Sequence, residues 1–213
     1  MNIWAIVPVK PFNRSKSRLA PVLSSKQRAI LSRQMLEQTL QTLRQVDEIS
    51  GVLVVSRDTA ALSLARRYDA QTVQESGSPE LNDALTRATQ AVVATWKARG
   101  VLILASDIPL MRVQDVKEML ALAAVPPAVV LATDRRQDGT NALLIRPAGL
   151  ITYSYGARSF HRHLEAARMA GVEPQVYDSP TLALDVDIPA DLDLYREMLI
   201  ERELGQPAWL GSD

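Results

Sequence analysis

The amino-acid sequence predicts an α/β domain of three layers: a mostly parallel, Rossmann-like central sheet with helices on both faces. Two patterns lead to that class. Strand-length apolar runs alternate along the chain with segments whose apolar residues recur at helical spacing. Glycines, prolines and polar clusters punctuate the joints between them. A third observation bounds the answer: 213 residues suffice for one sizeable core and do not require two. On such a sheet, ligands collect outside the carboxyl ends of the strands, so residues placed there are the first candidates for function.

The elements follow in order. Residues 3–9 are apolar and end at Pro8 and Lys10, as a buried strand entering a loop would. Ser24 with Gln27 three residues on is a capping box. Beyond it Ile30, Leu31, Met35, Leu36, Leu40 and Leu43 keep helical spacing. Gly51 introduces a second strand over 52–55, a short helix is expected over 60–68, and a brief strand over 71–73. A polar loop, 75–79, leads to a helix over 81–97. Gly100 then opens the strand 101–105, which runs into Asp107, and Pro109 turns the chain. A helix over 113–124, strands over 128–132 and 141–145, and a helix over 159–170 come next. Val176 and the run 182–186 read as strands, and Pro189 opens a final helix through about residue 204. No repeat or long linker interrupts the chain, which points to a single domain over 1–204 and a C-terminal tail over 205–213.

Composition excludes several functions. Lys plus Arg equals Asp plus Glu at 24 each, so no net charge draws the chain to nucleic acid or an anionic membrane. Only 5% of residues are aromatic, too few for a base-stacking platform. With no cysteine there are no disulfides, thiolate zinc sites or thiol nucleophiles, a pattern that fits a cytoplasmic protein. The first ten residues read as a strand, not a signal peptide, and no apolar segment nears the roughly 20 residues that span a bilayer.

Three aspartates stand out. Asp107 lies in Ala-Ser-Asp-Ile-Pro, and Asp185 and Asp187 lie in Leu-Ala-Leu-Asp-Val-Asp-Ile-Pro. Each follows or interrupts an apolar run, where an ionised carboxylate is costly unless its charge is compensated. A hard divalent cation such as Mg²⁺ is the simplest compensation. On a strand, Asp185 and Asp187 would face the same way, roughly 6.5–7 Å apart. The competing account is that they end a strand and cap the next helix. Lys10, Arg14, Lys16 and Arg18 fall within nine residues that contain no acid. Such a run after a strand could grip a triphosphate, although it lacks the glycines of a P-loop. Thr140 follows Gly139, and Ser159 follows Gly156 at an expected helix start, where backbone N–H groups favour an anion. On pattern alone, turn chemistry and an ordinary N-cap are the better account of those residues. His163 shares a helical face with Ser159 and His161 does not, and a zinc site from only these two histidines with no cysteine is not expected.

Across nearly the whole chain, these residues belong to segments with a familiar order. They are Val9-Lys10, Ser15-Lys-Ser-Arg-Leu-Ala-Pro-Val, Pro79-Glu-Leu-Asn, Asp107-Ile-Pro, Gly139-Thr-Asn-Ala, Tyr155-Gly-Ala-Arg-Ser and Asp185-Val-Asp-Ile-Pro-Ala-Asp-Leu. In order and spacing the chain resembles the guanylyltransferases of coenzyme F420 biosynthesis, which act on phosphoenolpyruvate or 2-phospho-L-lactate. The resemblance implies a glycosyltransferase-A-like nucleotidyltransferase fold, Mg²⁺, GTP, a small phosphorylated three-carbon acid and release of pyrophosphate. It implies that Asp107, Asp185 and Asp187 hold metal and carry catalysis, and that Thr140, Gly156 and Ser159 contact the acid. Lys10, Lys16 and Arg18 would then meet the triphosphate, and Asn82 would help hold the nucleoside. A homodimer is a further expectation. The sequence departs from the wider nucleotidyltransferase group in one loop, where Pro8-Val-Lys-Pro replaces a glycine-rich triphosphate loop. Tyr155 also stands where a phenylalanine is usual, a difference without an assigned meaning. The alternatives are transfer to another acceptor (3-phosphoglycerate, a sugar phosphate or molybdopterin) and a nucleotide-binding regulator without chemistry.

Overall fold

Residues Ile3–Val9 form the first strand, β1, and both of its faces are buried. Ile3, Ala5, Val7 and Val9 point into one apolar cluster, while Trp4 and Ile6 point into another. An unbroken apolar run, not alternation, is what a strand covered on both sides requires. A computed structural model describes residues 2–77 and 80–201. Its other strands are β2 (Ile49–Ser56), β3 (Gln71–Gln74), β4 (Gly100–Leu104), β5 (Ala128–Thr133), β6 (Thr140–Arg146) and β7 (Gln175–Val176). They make one sheet in the order β3-β2-β1-β4-β6-β5-β7. All described pairings are parallel except those of β6, which runs antiparallel between β4 and β5.

The helices are α1 (Ser25–Leu43), α2 (Thr59–Arg66), α3 (Leu81–Trp96), α4 (Val113–Leu122), α5 (Ser159–Met169), α6 (Pro180–Ala183) and α7 (Pro189–Glu201). The first cluster joins α1, α2, α4 and α6 to one face of the sheet, and the second joins α3 and α5 to the other. A third cluster packs α7 against α1 and the β1–α1 loop through Leu19, Leu31, Met35, Leu192 and Tyr195. The expected three-layer fold is present. Ser24 and Gln27 form the capping box that starts α1. Gly51 is required where it stands, because a Cβ there would lie 2.6 Å from the Trp4 ring.

One expectation is corrected. Residues 182–186 were expected to be a strand, but the chain instead makes the short helix α6 and then runs unpaired. Pro180 pre-sets the first helical turn, and Ser179 Oγ accepts the Leu182 N–H at 3.3 Å. Leu182 enters the first cluster while Leu184 and Val186 enter the third. A buried apolar run of this length satisfies either reading, and the local cap decides it. Asp185 and Asp187 are therefore not neighbours on one strand face. The final helix is described to Glu201; residues 202–204, the expected tail 205–213 and positions 78–79 of the polar loop lie outside the described residues.

Candidate active site

The strand order reverses at β1, which has β2 on one side and β4 on the other. Ligands on such sheets gather at the carboxyl end beside a reversal of this kind. A cleft of ≈ 350 Å³ opens there. Pro8, Lys10 and Lys16 line it from the β1–α1 loop, Arg57 and Glu75 from the ends of β2 and β3, and Asp107 from the end of β4. β6 runs the other way, so its first residue, Thr140, reaches the same rim, and Asp187 closes the wall. Of the residues expected to function, Lys10, Lys16, Asp107, Thr140 and Asp187 meet in this cleft. Arg18, Asn82, Gly156, Ser159 and Asp185 are not in its wall.

The basic loop and the acids form one cluster. Lys16 Nζ lies 2.6 Å from Asp107 Oδ2 and 3.0 Å from Asp187 Oδ1, with its own side chain 5% exposed. Burial alone would lower the ammonium's pKa, but Asp107 and Asp187 outweigh it and hold Lys16 above its ordinary value. Burial likewise raises Asp187, and Lys16, Lys10 and Arg18 together bring it below the usual carboxylate range. Asp185 is compensated less: burial first, then the charges of Asp107 and Asp187, push it up to about 6, and a backbone hydrogen bond and Lys16 offset only part of that rise. The Asp187 and Ile188 N–H groups bond to Asp191 Oδ2 at 3.2 and 3.0 Å, so Asp191, not Asp187, satisfies the start of α7. Capping therefore does not account for Asp187.

Asp107 and Asp187 both raise the pKa of Asp185, and a hard divalent cation would relieve that repulsion. The donor set thus fits Mg²⁺ in chemistry. It is not a closed cage, since among the described residues no three acidic or histidine side chains stand close enough to enclose an ion. Lys16 supplies the positive charge at two of the three.

The far wall is built by hydrogen bonds. Asp134 Oδ1 accepts the N–H groups of Asp138 and Gly139 at 2.8 and 3.1 Å and closes the β5–β6 turn. Asp138 then ties that turn to α5: its carbonyl accepts the Phe160 N–H at 3.0 Å and its Oδ2 accepts the Arg158 N–H at 3.2 Å. Ser159 N–H bonds to the Gly156 carbonyl at 3.1 Å. These N–H groups at the start of α5 are thus already satisfied. Gly156 has φ +119°, a conformation that side chains rarely adopt. Asn82 accepts the Tyr155 N–H at 2.7 Å and donates to the Tyr155 carbonyl at 3.3 Å, so its amide clamps this loop to α3. His163 is fully buried and bonds Thr140 Oγ1 at 3.0 Å through Nδ1.

Arg57 and Glu75 escaped sequence reasoning, although each follows a strand at the carboxyl edge where ligands gather; position alone was the available signal. Nothing local marked the Lys16 contact with residues 91 and 171 positions away.

With the cleft described, comparison with known proteins decides the family. The model of the family described as "Guanylyl transferase CofC like" matches residues 3–203. The chain belongs to this guanylyltransferase family. It is 39% identical over 192 residues to the phosphoenolpyruvate guanylyltransferase of Rubrobacter xylanophilus, covering 90% of this chain and 92% of that protein. It is 36% identical over 193 residues to the 2-phospho-L-lactate guanylyltransferase of Methanothermobacter thermautotrophicus, covering 90% and 83%. Among solved structures, a nucleotidyl transferase from Methanothermobacter superposes with TM-score 0.70 at 15% identity, covering 94% of this chain and 99% of that one. The 4-diphosphocytidyl-2C-methyl-D-erythritol synthase of Anaerococcus prevotii gives 0.65 at 12%, covering 93% and 96%. At those identities the likeness establishes the nucleotidyltransferase fold, and the family membership makes this guanylyltransferase an enzyme. Among the described residues no helix is long and apolar enough to cross a membrane.

Proposed function

We propose that this guanylyltransferase moves GMP from GTP to the phosphate of phosphoenolpyruvate, or of its close analogue 2-phospho-L-lactate, as a cytoplasmic step of coenzyme F420 biosynthesis. An oxygen of the acid's phosphate attacks the α-phosphorus of GTP. The new P–O bond forms as the bond from that phosphorus to the bridging oxygen breaks, and pyrophosphate leaves with the bond's electrons. The attacking phosphate is already anionic, so no side chain need remove a proton. Catalysis then consists of alignment and charge neutralisation.

The observation that carries this reading is Lys16, held between Asp107 and Asp187 at the crevice between β1 and β4. It joins a cationic loop suited to a triphosphate to a cluster of carboxylates suited to a metal. Asp107, Asp185 and Asp187 would hold Mg²⁺, which offsets charge on the two phosphorylated substrates when bound. Lys10 on the cleft wall, together with the charge of Arg18, biases the β1 side of the cleft toward the triphosphate, and Thr140 offers its hydroxyl to the acid on the β6 side. Gly156 and Ser159 act on that side by shaping the loop and the start of α5.

The test is pyrophosphate release by purified protein supplied with GTP, Mg²⁺ and, separately, phosphoenolpyruvate, 2-phospho-L-lactate or 3-phosphoglycerate. Release with either of the first two is expected. No release with either, from a folded protein, would overturn the assignment.

A further inference from the structure

The Thr140 hydroxyl makes a single described hydrogen bond, to His163, and the direction of that bond follows from the other end of the ring. The Ser154 N–H, which can only donate, lies 2.9 Å from His163 Nε2. Nε2 must therefore carry a lone pair. In a neutral imidazole the hydrogen is then on Nδ1, which faces Thr140 Oγ1 at 3.0 Å. Burial, reinforced by the charge of Arg162, lowers the pKa of His163 to about 4, so the ring is neutral near pH 7. The Thr140 hydroxyl receives the Nδ1 hydrogen as an acceptor. Its own O–H has no described acceptor in the protein, and Thr140 is part of the cleft wall.

The ring has little freedom to reverse this order. His163 is 0% exposed, and Tyr155 packs edge-on against it with centroids 4.8 Å apart. The segment that supplies Ser154 is pinned next door, where Asn82 holds both the N–H and the carbonyl of Tyr155. The Arg158, Ser159 and Phe160 N–H groups at the start of α5 are spent on Asp138 and Gly156. Thr140 thus remains as an oriented donor on this wall.

We propose that His163 is a positioning residue: by donating to Thr140 Oγ1 it keeps the Thr140 O–H hydrogen off the ring and free to be donated to an anionic oxygen of the phosphorylated acid. This rests on the reading of the cleft as a guanylyltransferase site for such an acid. A hydroxyl whose hydrogen is free and pointed away from the ring favours a phosphate or carboxylate oxygen. His163 touches neither substrate and acts through Thr140 alone.

The experiment is a double-substitution cycle read by steady-state kinetics and by calorimetric binding of phosphoenolpyruvate. Pyrophosphate release by the unaltered protein comes first, and its absence with every acid tried would refute the site assignment itself, and with it this proposal. Given activity, Thr140→Val and His163→Leu should each raise KM for phosphoenolpyruvate about tenfold, as expected for a lost hydrogen bond to an anion. KM for GTP should stay within about twofold in both. His163→Asn, which keeps an N–H donor near the Nδ1 position, should recover most of the affinity. In the Thr140→Val background, His163→Leu should add nothing. Multiplying effects, or equal changes in both KM values, would overturn the proposal. If His163→Leu fails to fold, His163→Asn takes its place in the cycle. It should then change KM for the acid no more than threefold with Thr140 present and not at all in the Thr140→Val background, and any change in that background would overturn the proposal.

Discussion

Lys16 combines two costs and two compensations. Its backbone is left-handed, φ 53° and ψ 37°, which a side-chain-bearing residue adopts at a cost of about 1–2 kcal/mol. Its ammonium is also removed from water. The carboxylates of Asp107 and Asp187 offset both, and in return the strained turn aims the side chain across the crevice. Replacing Lys16 by Met should leave the two acids facing each other. Because they are 29% and 39% exposed, solvent screens part of the loss, and about 1–2 kcal/mol of stability should disappear. Adding Mg²⁺ should then raise the melting temperature of Lys16→Met by more than it raises that of the parent protein. Equal shifts would argue against cation binding by these aspartates. Asp187→Asn leaves Lys16 paired with Asp107, so melting should change little, while pyrophosphate release should fall at least about 100-fold. Full activity in that variant would refute the metal role.

The segment bearing Asp185 and Asp187 is held by α4. Asp115, 6% exposed near the start of that helix, accepts hydrogen bonds from Ser179 Oγ at 2.8 Å, Thr181 Oγ1 at 2.6 Å and the Tyr177 hydroxyl at 3.2 Å. It also accepts the Arg112 N–H at 2.8 Å, satisfying one of the unpaired donors at the N-terminus of α4. This one carboxylate therefore ties the first turn of a helix to the chain that enters the acid cluster. Asp115→Ala should cost about 2–3 kcal/mol in urea unfolding, since it strands buried hydroxyls. It should also lower turnover, although Asp115 is absent from the wall of the cleft. Unchanged turnover in a protein destabilised to that extent would show that α6 holds its place by packing alone.

Across the molecule, the burial of His163 links the site to global stability. The native ring resists protonation down to about pH 4, whereas the unfolded residue titrates near 6.5. Between those values the unfolded chain binds more protons. The contribution to stability is therefore complete above pH 6.5 and is lost as pH falls toward 4, by about 3 kcal/mol in full. Chemical unfolding of the parent protein and of His163→Gln across pH 4–7 isolates this contribution. The parent's stability should fall more steeply with acid than the variant's, and parallel curves would show that the ring is not buried neutral.

The residues alone settled much of this. Runs such as 3–9 and 101–105 are apolar enough, and spaced closely enough between helical segments, to require a sheet covered on both faces. That requirement placed Lys10 and Asp107 at strand ends and Lys16 in the loop that follows the first strand. What chain order could not express is contact between distant positions. Residues 182–186 are as apolar as a strand, and only the cap at Ser179 and the two cores receiving Leu182, Leu184 and Val186 made them a short helix and an unpaired run. The Lys16 bridge to Asp107 and Asp187, and the direction of the bond from His163 to Thr140, arise from the same cause. Hydrogen bonds and ion pairs depend on separations of about 3 Å, and packing sets those separations between groups that sequence spacing leaves unrelated.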